Sequence, residues 1–73
     1  MTDQIEIILN GTKQAVPIQW TLQDLVTETS PQPRGPVALE LNGEIVKRRS
    51  WSEHRLKSGD EIELVHFVGG GET

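Results

Sequence analysis

The sequence predicts an α+β domain in which a mixed sheet of four to five strands is covered on one face by a single main helix. Three observations lead to this prediction. Apolar residues are concentrated in three short runs, at residues 5–9, 37–41 and 62–68. Two Asn-Gly pairs follow strand-like segments, and the stretch between them carries the start signals of a helix. An apolar fraction of 34% that is clustered in this way indicates a folded core.

The first element is a predicted β-hairpin. In residues 4–9, Ile5, Ile7 and Leu9 fall on one face and Glu6 and Ile8 on the other, which is the period of a half-buried strand. Asn10 and Gly11 follow at once, and such a pair predicts a tight turn because both residues accept a positive φ. A second strand over residues 13–18 is therefore expected to return antiparallel to the first.

The next segment has the pattern of a helix. Thr21 is a suitable N-cap, Asp24 stands where a capping-box carboxylate belongs, and Trp20 and Leu25 are spaced as a hydrophobic staple. The segment 30–36 contains three prolines, which cannot continue a helix. The helix is therefore expected to end before this segment, which is interpreted as a loop within one domain.

The second half of the chain completes the sheet. The predicted elements are a strand over residues 36–41, an Asn-Gly turn, a short return over 44–46, an irregular connector or single helical turn over 47–56, and a last strand over 61–67. A long crossover allows the last strand to pair parallel to the first. This order is that of the β-grasp fold. We expect one domain over residues 1–68 and a flexible glycine tail over 69–73.

Composition excludes several classes of function. The 73 residues include no cysteine, so neither a disulfide nor a zinc-thiolate site is available, and the net charge of -4 disfavours nucleic acid as a partner. His54 and His66 are isolated and predict no metal site. No apolar stretch approaches the ~20 residues that span a bilayer, and the N-terminus lacks a basic leader. A soluble, cytoplasmic protein that is not an enzyme and binds no cofactor is expected.

The tail itself carries the predicted chemistry. Three consecutive glycines, Gly69, Gly70 and Gly71, are compatible with a frayed end. They also suit a second interpretation, because a backbone without Cβ atoms can enter a channel too narrow for other residues. A carboxylate delivered in this way must be activated by a partner, most simply as an acyl adenylate made from ATP.

One basic cluster stands apart from the predicted strands. It consists of Lys47, Arg48 and Arg49. It is interpreted either as a solvated connector or as a docking contact for an acidic partner.

Several segments together resemble the ThiS family of sulfur carrier proteins, part of the ubiquitin-like MoaD/ThiS superfamily. The resemblance covers nearly the whole chain. Its segments are residues 9–11, 21–25, 41–46 with Arg48 and Trp51, and above all 55–71, which contains Val-His-Phe-Val-Gly-Gly-Gly. The final block with its glycine end is the most specific of them.

The resemblance implies a site and a set of partners. The reactive residue maps to Gly71, with Gly70 beside it. A ThiF-type enzyme would adenylate Gly71 with ATP and magnesium, a cysteine desulfurase or rhodanese-like protein would supply sulfur, and thiazole synthase (ThiG in bacteria) would accept it from the thiocarboxylate. Val65, Phe67 and Val68, beside the tail, are expected to contact the partners.

Alternation along the strands extends this surface. If Ile62 and Leu64 face the helix, Val65 and Phe67 face away from it. Ile8, on the neighbouring strand, is expected to join them in an exposed apolar patch.

One departure concerns Glu72 and Thr73, since family members usually stop at the glycine pair. The Gly71 carbonyl is held in a peptide bond here, so a trimming protease is expected to release it, unless the two residues are a cloning remnant. The alternatives are a molybdopterin synthase small subunit, a ubiquitin-like protein modifier, and an interaction module with a disordered end.

Overall fold

Five strands and one α-helix occupy the part of the chain that the structure, a computed structural model, describes, namely residues 3–30 and 37–66. The elements are β1 (Gln4–Leu9), β2 (Thr12–Pro17), α1 (Leu22–Thr29), β3 (Val37–Leu41), β4 (Glu44–Ile45), a 3-10 helix (Arg48–Glu53) and β5 (Glu61–His66). The predicted α+β class and the order of the elements are confirmed. The division into a domain of residues 1–68 and a tail of 69–73 stays a prediction.

The strands form one mixed sheet in the order β2-β1-β5-β3-β4. β1 and β5 pair in parallel, with Ile8 opposite Glu61 and Leu9 opposite Ile62. The other neighbours are antiparallel. The predicted parallel pairing of the first and last strands is therefore confirmed, and β5 lies at the centre of the sheet.

Both Asn-Gly turns hold the central strand. Asn10 and Asn42 have positive φ angles of 50° and 52°, as expected for these turns. In addition, the Asn10 side chain accepts a hydrogen bond from the Leu64 N–H at 2.8 Å, and the Asn42 side chain accepts one from the Glu61 N–H at 2.9 Å. The side chains of two local turns thus accept hydrogen bonds from the backbone of β5, which is more than fifteen residues away in sequence.

The helix begins as its capping residues predict. The Asp24 N–H donates to Thr21 Oγ1 at 3.2 Å, and the Thr21 N–H donates to Asp24 Oδ2 at 2.9 Å, which completes a capping box. The proline segment, residues 31–36, lies outside the described residues. Among the described residues, no helix has the length and apolar character that crossing a membrane requires.

The core lies between one face of the sheet, α1 and the 3-10 helix. Its buried side chains are Ile7, Leu9, Val16, Leu22, Leu25, Val26, Leu39, Trp51, Leu56, Ile62 and Leu64. Trp51 is the largest of them and is only 1% exposed. Its indole N–H donates to the Val46 carbonyl at 2.8 Å. The polar connector between β4 and β5 therefore forms a 3-10 helix that closes the core.

Candidate functional site

The predicted site lies at the C-terminal end of β5. Val65 and Ile8 belong to the described part of the chain. Phe67, Val68, Gly69, Gly70 and Gly71 lie outside the described residues. Their predicted roles therefore stay predictions.

The register of β5 against β3 fixes where the chain leaves the sheet. Val65 pairs with Ala38 and His66 pairs with Val37, the first residue of β3. β5 is flanked by β1 and β3 in the sheet. The segment that follows His66 thus starts from a central strand, at the end of the sheet where β3 begins.

His66 connects this end of β5 to the helix. Its ring Nε2 and the Ser30 hydroxyl oxygen share a hydrogen bond of 2.6 Å. Ser30 is the C-cap of α1, and its backbone N–H donates to the Val26 carbonyl. The last described residue of β5 is therefore anchored to the end of α1. His66 lies in a strand, as the sequence predicts. The sequence does not predict its contact with Ser30, because Ser30 and His66 are 36 positions apart.

Val65 faces away from the core. Its neighbours along the strand alternate with it: Leu64 is buried and packs into the core, whereas Val65 is 47% exposed. The face of the sheet that carries Val65 is called the open face here, because α1 packs on the other one. The predicted orientation of Val65 is confirmed.

Ile8 does not lie beside Val65, so this part of the predicted patch is wrong. Ile8 faces Glu61, at the start of β5. Val65 is four residues farther on, about 13 Å away at roughly 3.3 Å per residue. The physical reason is the stagger of the two strands, since β1 ends at Leu9 where β5 begins. Any contact of Ile8 with a partner would form at a separate point and stays a prediction.

Two carboxylates lie on one side of Val65 on the open face. Glu40 on β3 and Glu63 on β5 are directly opposite each other. Like charges in this position destabilise a sheet. A partner that covers Val65 therefore meets this acidic pair as well. The alternation of residues along the last strand predicts that Glu61, Glu63 and Val65 share one face. That Glu40 is opposite Glu63 follows only from the strand register.

A metal site among the described residues would require several potential ligand side chains close together. Within residues 3–30 and 37–66, no three His, Cys, Asp or Glu side chains are grouped so that they could hold a metal ion. His54 is exposed and is the C-cap of the 3-10 helix. What the site presents is an apolar side chain with acidic neighbours, next to a strand end that leads to the glycine segment.

Comparison with known proteins adds to this geometry. The family model described as "ThiS family" matches residues 2–71. The sulfur carrier protein ThiS of Bacillus subtilis is 41% identical over 51 residues, which are 70% of this chain and 76% of that protein. A crystal structure of the thiamine biosynthesis protein ThiS from Geobacter metallireducens superposes with a TM-score of 0.76 at 28% identity, over 92% of this chain and 100% of that one.

A longer protein also matches. A thiazole synthase from Paramagnetospirillum magneticum is 33% identical over 67 residues, which are 92% of this chain but 20% of that protein. The chain therefore spans about a fifth of the length of this relative.

Proposed function

The chain belongs to the ThiS family, and from this membership we propose that it is a sulfur carrier of thiamine biosynthesis rather than an enzyme. The observation that carries the proposal is the extent of the family match. It runs through the whole β-grasp domain and ends at Gly71, the last of the three glycines. Relatives named as ThiS sulfur carriers support it.

In the proposed reaction, the Gly71 carboxylate does the chemistry and the folded domain presents it. A ThiF-type enzyme, using ATP and magnesium, joins a carboxylate oxygen of Gly71 to AMP, and pyrophosphate leaves. The persulfide of a cysteine desulfurase or a rhodanese-like protein then attacks the Gly71 carbonyl carbon and displaces AMP, and a thiol reductant cleaves the S–S bond of the acyl disulfide that forms. The resulting thiocarboxylate donates its sulfur to thiazole synthase. The chain binds no cofactor of its own in this scheme, and the setting is cytoplasmic.

The reaction requires a free carboxylate on Gly71. Glu72 follows Gly71 in the sequence, so the peptide bond between them must be hydrolysed first. A trimming protease is the proposed agent.

Thiazole synthase is the partner with independent support. Proteins named thiazole synthase match 92% and 93% of this chain within a fifth of their own length. A segment similar to this carrier thus occurs in proteins that bear the name of the proposed acceptor. We infer that the carrier and the synthase act together.

The proposal is tested by mass spectrometry. The chain ending at Gly71 is incubated with a ThiF-type enzyme, ATP, magnesium and a sulfur source. The expected product is heavier by the difference between one sulfur and one oxygen atom. Reactions without ATP, and with a chain ending at Val68, are the controls and should show no gain. Absence of the sulfur-bearing product from the complete reaction would contradict the proposal, and lysine conjugates in its place would indicate a protein modifier.

Val65 provides a test of the docking surface. Val65→Asp is expected to lower the rate of adenylation about thirtyfold, because a buried apolar anchor of an interface contributes on the order of 2 kcal/mol. The readout is pyrophosphate release by the ThiF-type enzyme. Ile18→Asp is the matched control, since Ile18 is 50% exposed, close to the 47% of Val65, but lies beside β2 at the far edge of the sheet.

Both variants should keep the circular dichroism spectrum of the parent chain, because neither position is buried. Equal rates for the parent and for Val65→Asp would show that Val65 is not part of the docking surface. Equal losses in both variants would attribute the effect to added negative charge alone.

A further inference from the structure

Positive charge is concentrated in one segment of this acidic protein. Five of the seven Lys and Arg residues lie between positions 47 and 57, although the net charge of the chain is -4. They are Lys47, Arg48, Arg49, Arg55 and Lys57. Arg48 lies over the ring of Trp51, 5.6 Å from its centroid. The remaining basic residues of the segment are exposed.

An open groove borders the start of this segment, between β4 and the 3-10 helix. It encloses about 400 Å³. Leu41, Ile45 and Val46 supply its apolar surface, while Glu44, Lys47, Arg49, Ser50 and His54 supply its polar surface. Ile45 is 71% exposed, the highest value among the large apolar side chains described. The groove thus combines an uncovered apolar side chain with two cations, one imidazole and a single lining carboxylate. Glu40, opposite Ile45 in the strand register, places a second carboxylate beside that apolar side chain.

The groove is remote from the strand end that leads to the glycines. β3 runs from Val37, which pairs with His66, to Leu41, which pairs with Ile62. β4 follows after the turn at the Leu41 end. Four residues of strand separate the two ends, which is about 13 Å. A short ligand that stays within the groove therefore leaves the C-terminal end of β5 uncovered, although Ile45 is opposite Glu40, only two residues along β3 from Ala38, which is opposite Val65.

We propose that this groove, lined by Ile45, Lys47 and Arg49, is a second docking site, which binds an acidic peptide segment of a partner protein through one apolar side chain and flanking carboxylates. Charge complementarity supplies the argument for the occupant. Exposed rim cations steer and select an acidic segment, and an apolar side chain set against Ile45 removes both from water. Arg49 can bind a carboxylate through two N–H groups, and Lys47 adds a point charge beside it.

Two other kinds of ligand fit less well. A small phosphate compound needs a pocket that buries most of its surface, whereas this groove is open and its cations are exposed. A nucleic acid would meet the acidic open face, where Glu40 and Glu63 face each other, as it extended beyond the groove. A short acidic peptide can set its carboxylates against Lys47 and Arg49 and does not have to extend past Glu40, which is opposite Ile45.

The test uses isotopically labelled chain and follows its backbone amides by NMR. The probe is an eight-residue peptide with one leucine flanked on both sides by aspartate and glutamate. Amide shifts are expected at positions 44–50, with weaker binding as salt is raised. The matched pair of variants is Lys47→Glu, in the groove, and Lys13→Glu, on β2 at the opposite edge of the sheet. Lys47→Glu should weaken binding about tenfold, and Lys13→Glu less than twofold.

Four results would overturn the inference. One is the absence of shifts at positions 44–50 with millimolar peptide. Another is an equal loss in both variants, which would indicate attraction without a site. The third is an unchanged response when the acidic residues of the peptide are replaced by asparagine and glutamine. The fourth is the same pattern of shifts with inorganic phosphate or ADP alone. Because the assay involves neither adenylation nor sulfur, its outcome is independent of the proposed carrier function.

Discussion

Replacing Gly70 by alanine is expected to lower adenylation of the chain ending at Gly71 by at least a hundredfold. The variant leaves Gly71 and its terminal carboxylate unchanged. A lower adenylation rate would therefore show that the backbone enters the channel of the enzyme less well, and not that the reacting group has changed. A single methyl group forbids close approach of channel walls to the backbone and removes the φ angles that only glycine adopts freely. Misplacement of a reacting group by about 1 Å can cost on the order of a hundredfold in rate.

The measurement is pyrophosphate release by a ThiF-type enzyme, with formation of the sulfur-bearing product followed by mass spectrometry. Ala15→Gly is a control that makes the reverse change at an exposed position of β2, which is separated from β5 by β1 in the sheet. It should leave the rate unchanged. Because β1 to β5 are unaltered in Gly70→Ala, its denaturation midpoint should equal that of the parent. A rate within a factor of three of the parent would refute the requirement for a glycine backbone.

Replacing Trp51 by alanine is expected to remove about 3–5 kcal/mol from the free energy of unfolding, the usual cost of truncating a buried aromatic side chain. Trp51 is the largest fully buried side chain, and its indole N–H satisfies the Val46 carbonyl. At about 0.05–0.15 kcal/mol per residue, a chain of this size has a total stability of roughly 4–11 kcal/mol. The variant therefore loses a large share of its stability and is expected to be partly unfolded at 37 °C.

Urea denaturation separates the contributions of Trp51. Trp20 remains as the fluorescent probe in Trp51→Ala. Trp51→Phe keeps most of the apolar volume but removes the indole donor, so an intermediate loss of about 1–3 kcal/mol is expected. Trp20→Ala is the control, because Trp20 is only partly buried against the core, and it should cost less than Trp51→Ala. Equal midpoints for Trp20→Ala and Trp51→Ala would contradict the central packing role of Trp51.

The carrier surface has two parts in this account, and they have opposite charge. The open face near the end of β5 presents Val65 with Glu40 and Glu63, whereas the groove beside β4 presents Ile45 with Lys47 and Arg49. Glu40 lies between the two parts, since it is opposite Glu63 on one side and opposite Ile45 on the other. Under the proposed function, which involves an activating enzyme, a sulfur donor and an acceptor, two surfaces of opposite charge would let one partner hold the domain while another receives the glycine segment.

Local interactions made much of the fold predictable. The two Asn-Gly pairs specify their turns because both residues accept positive φ, and the structure has that conformation at Asn10 and Asn42. Thr21 and Asp24 specify the start of α1 through hydrogen bonds three residues apart. Alternation specifies the buried face of β5, including the outward position of Val65. Each of these features depends on neighbours within a few positions, so the order of residues contains the necessary information.

The sequence by itself thus determined the elements, their order, the β-grasp class and the glycine segment as the candidate site. Only the tertiary structure decided the stagger of β1 against β5, which separates Ile8 from Val65, and the contact between Ser30 and His66. The same holds for the burial of Trp51 and for the facing of Glu40 against Glu63. The reason is that these features join residues distant along the chain. Their positions are set by how the crossover packs and by strand register, which no local pattern specifies.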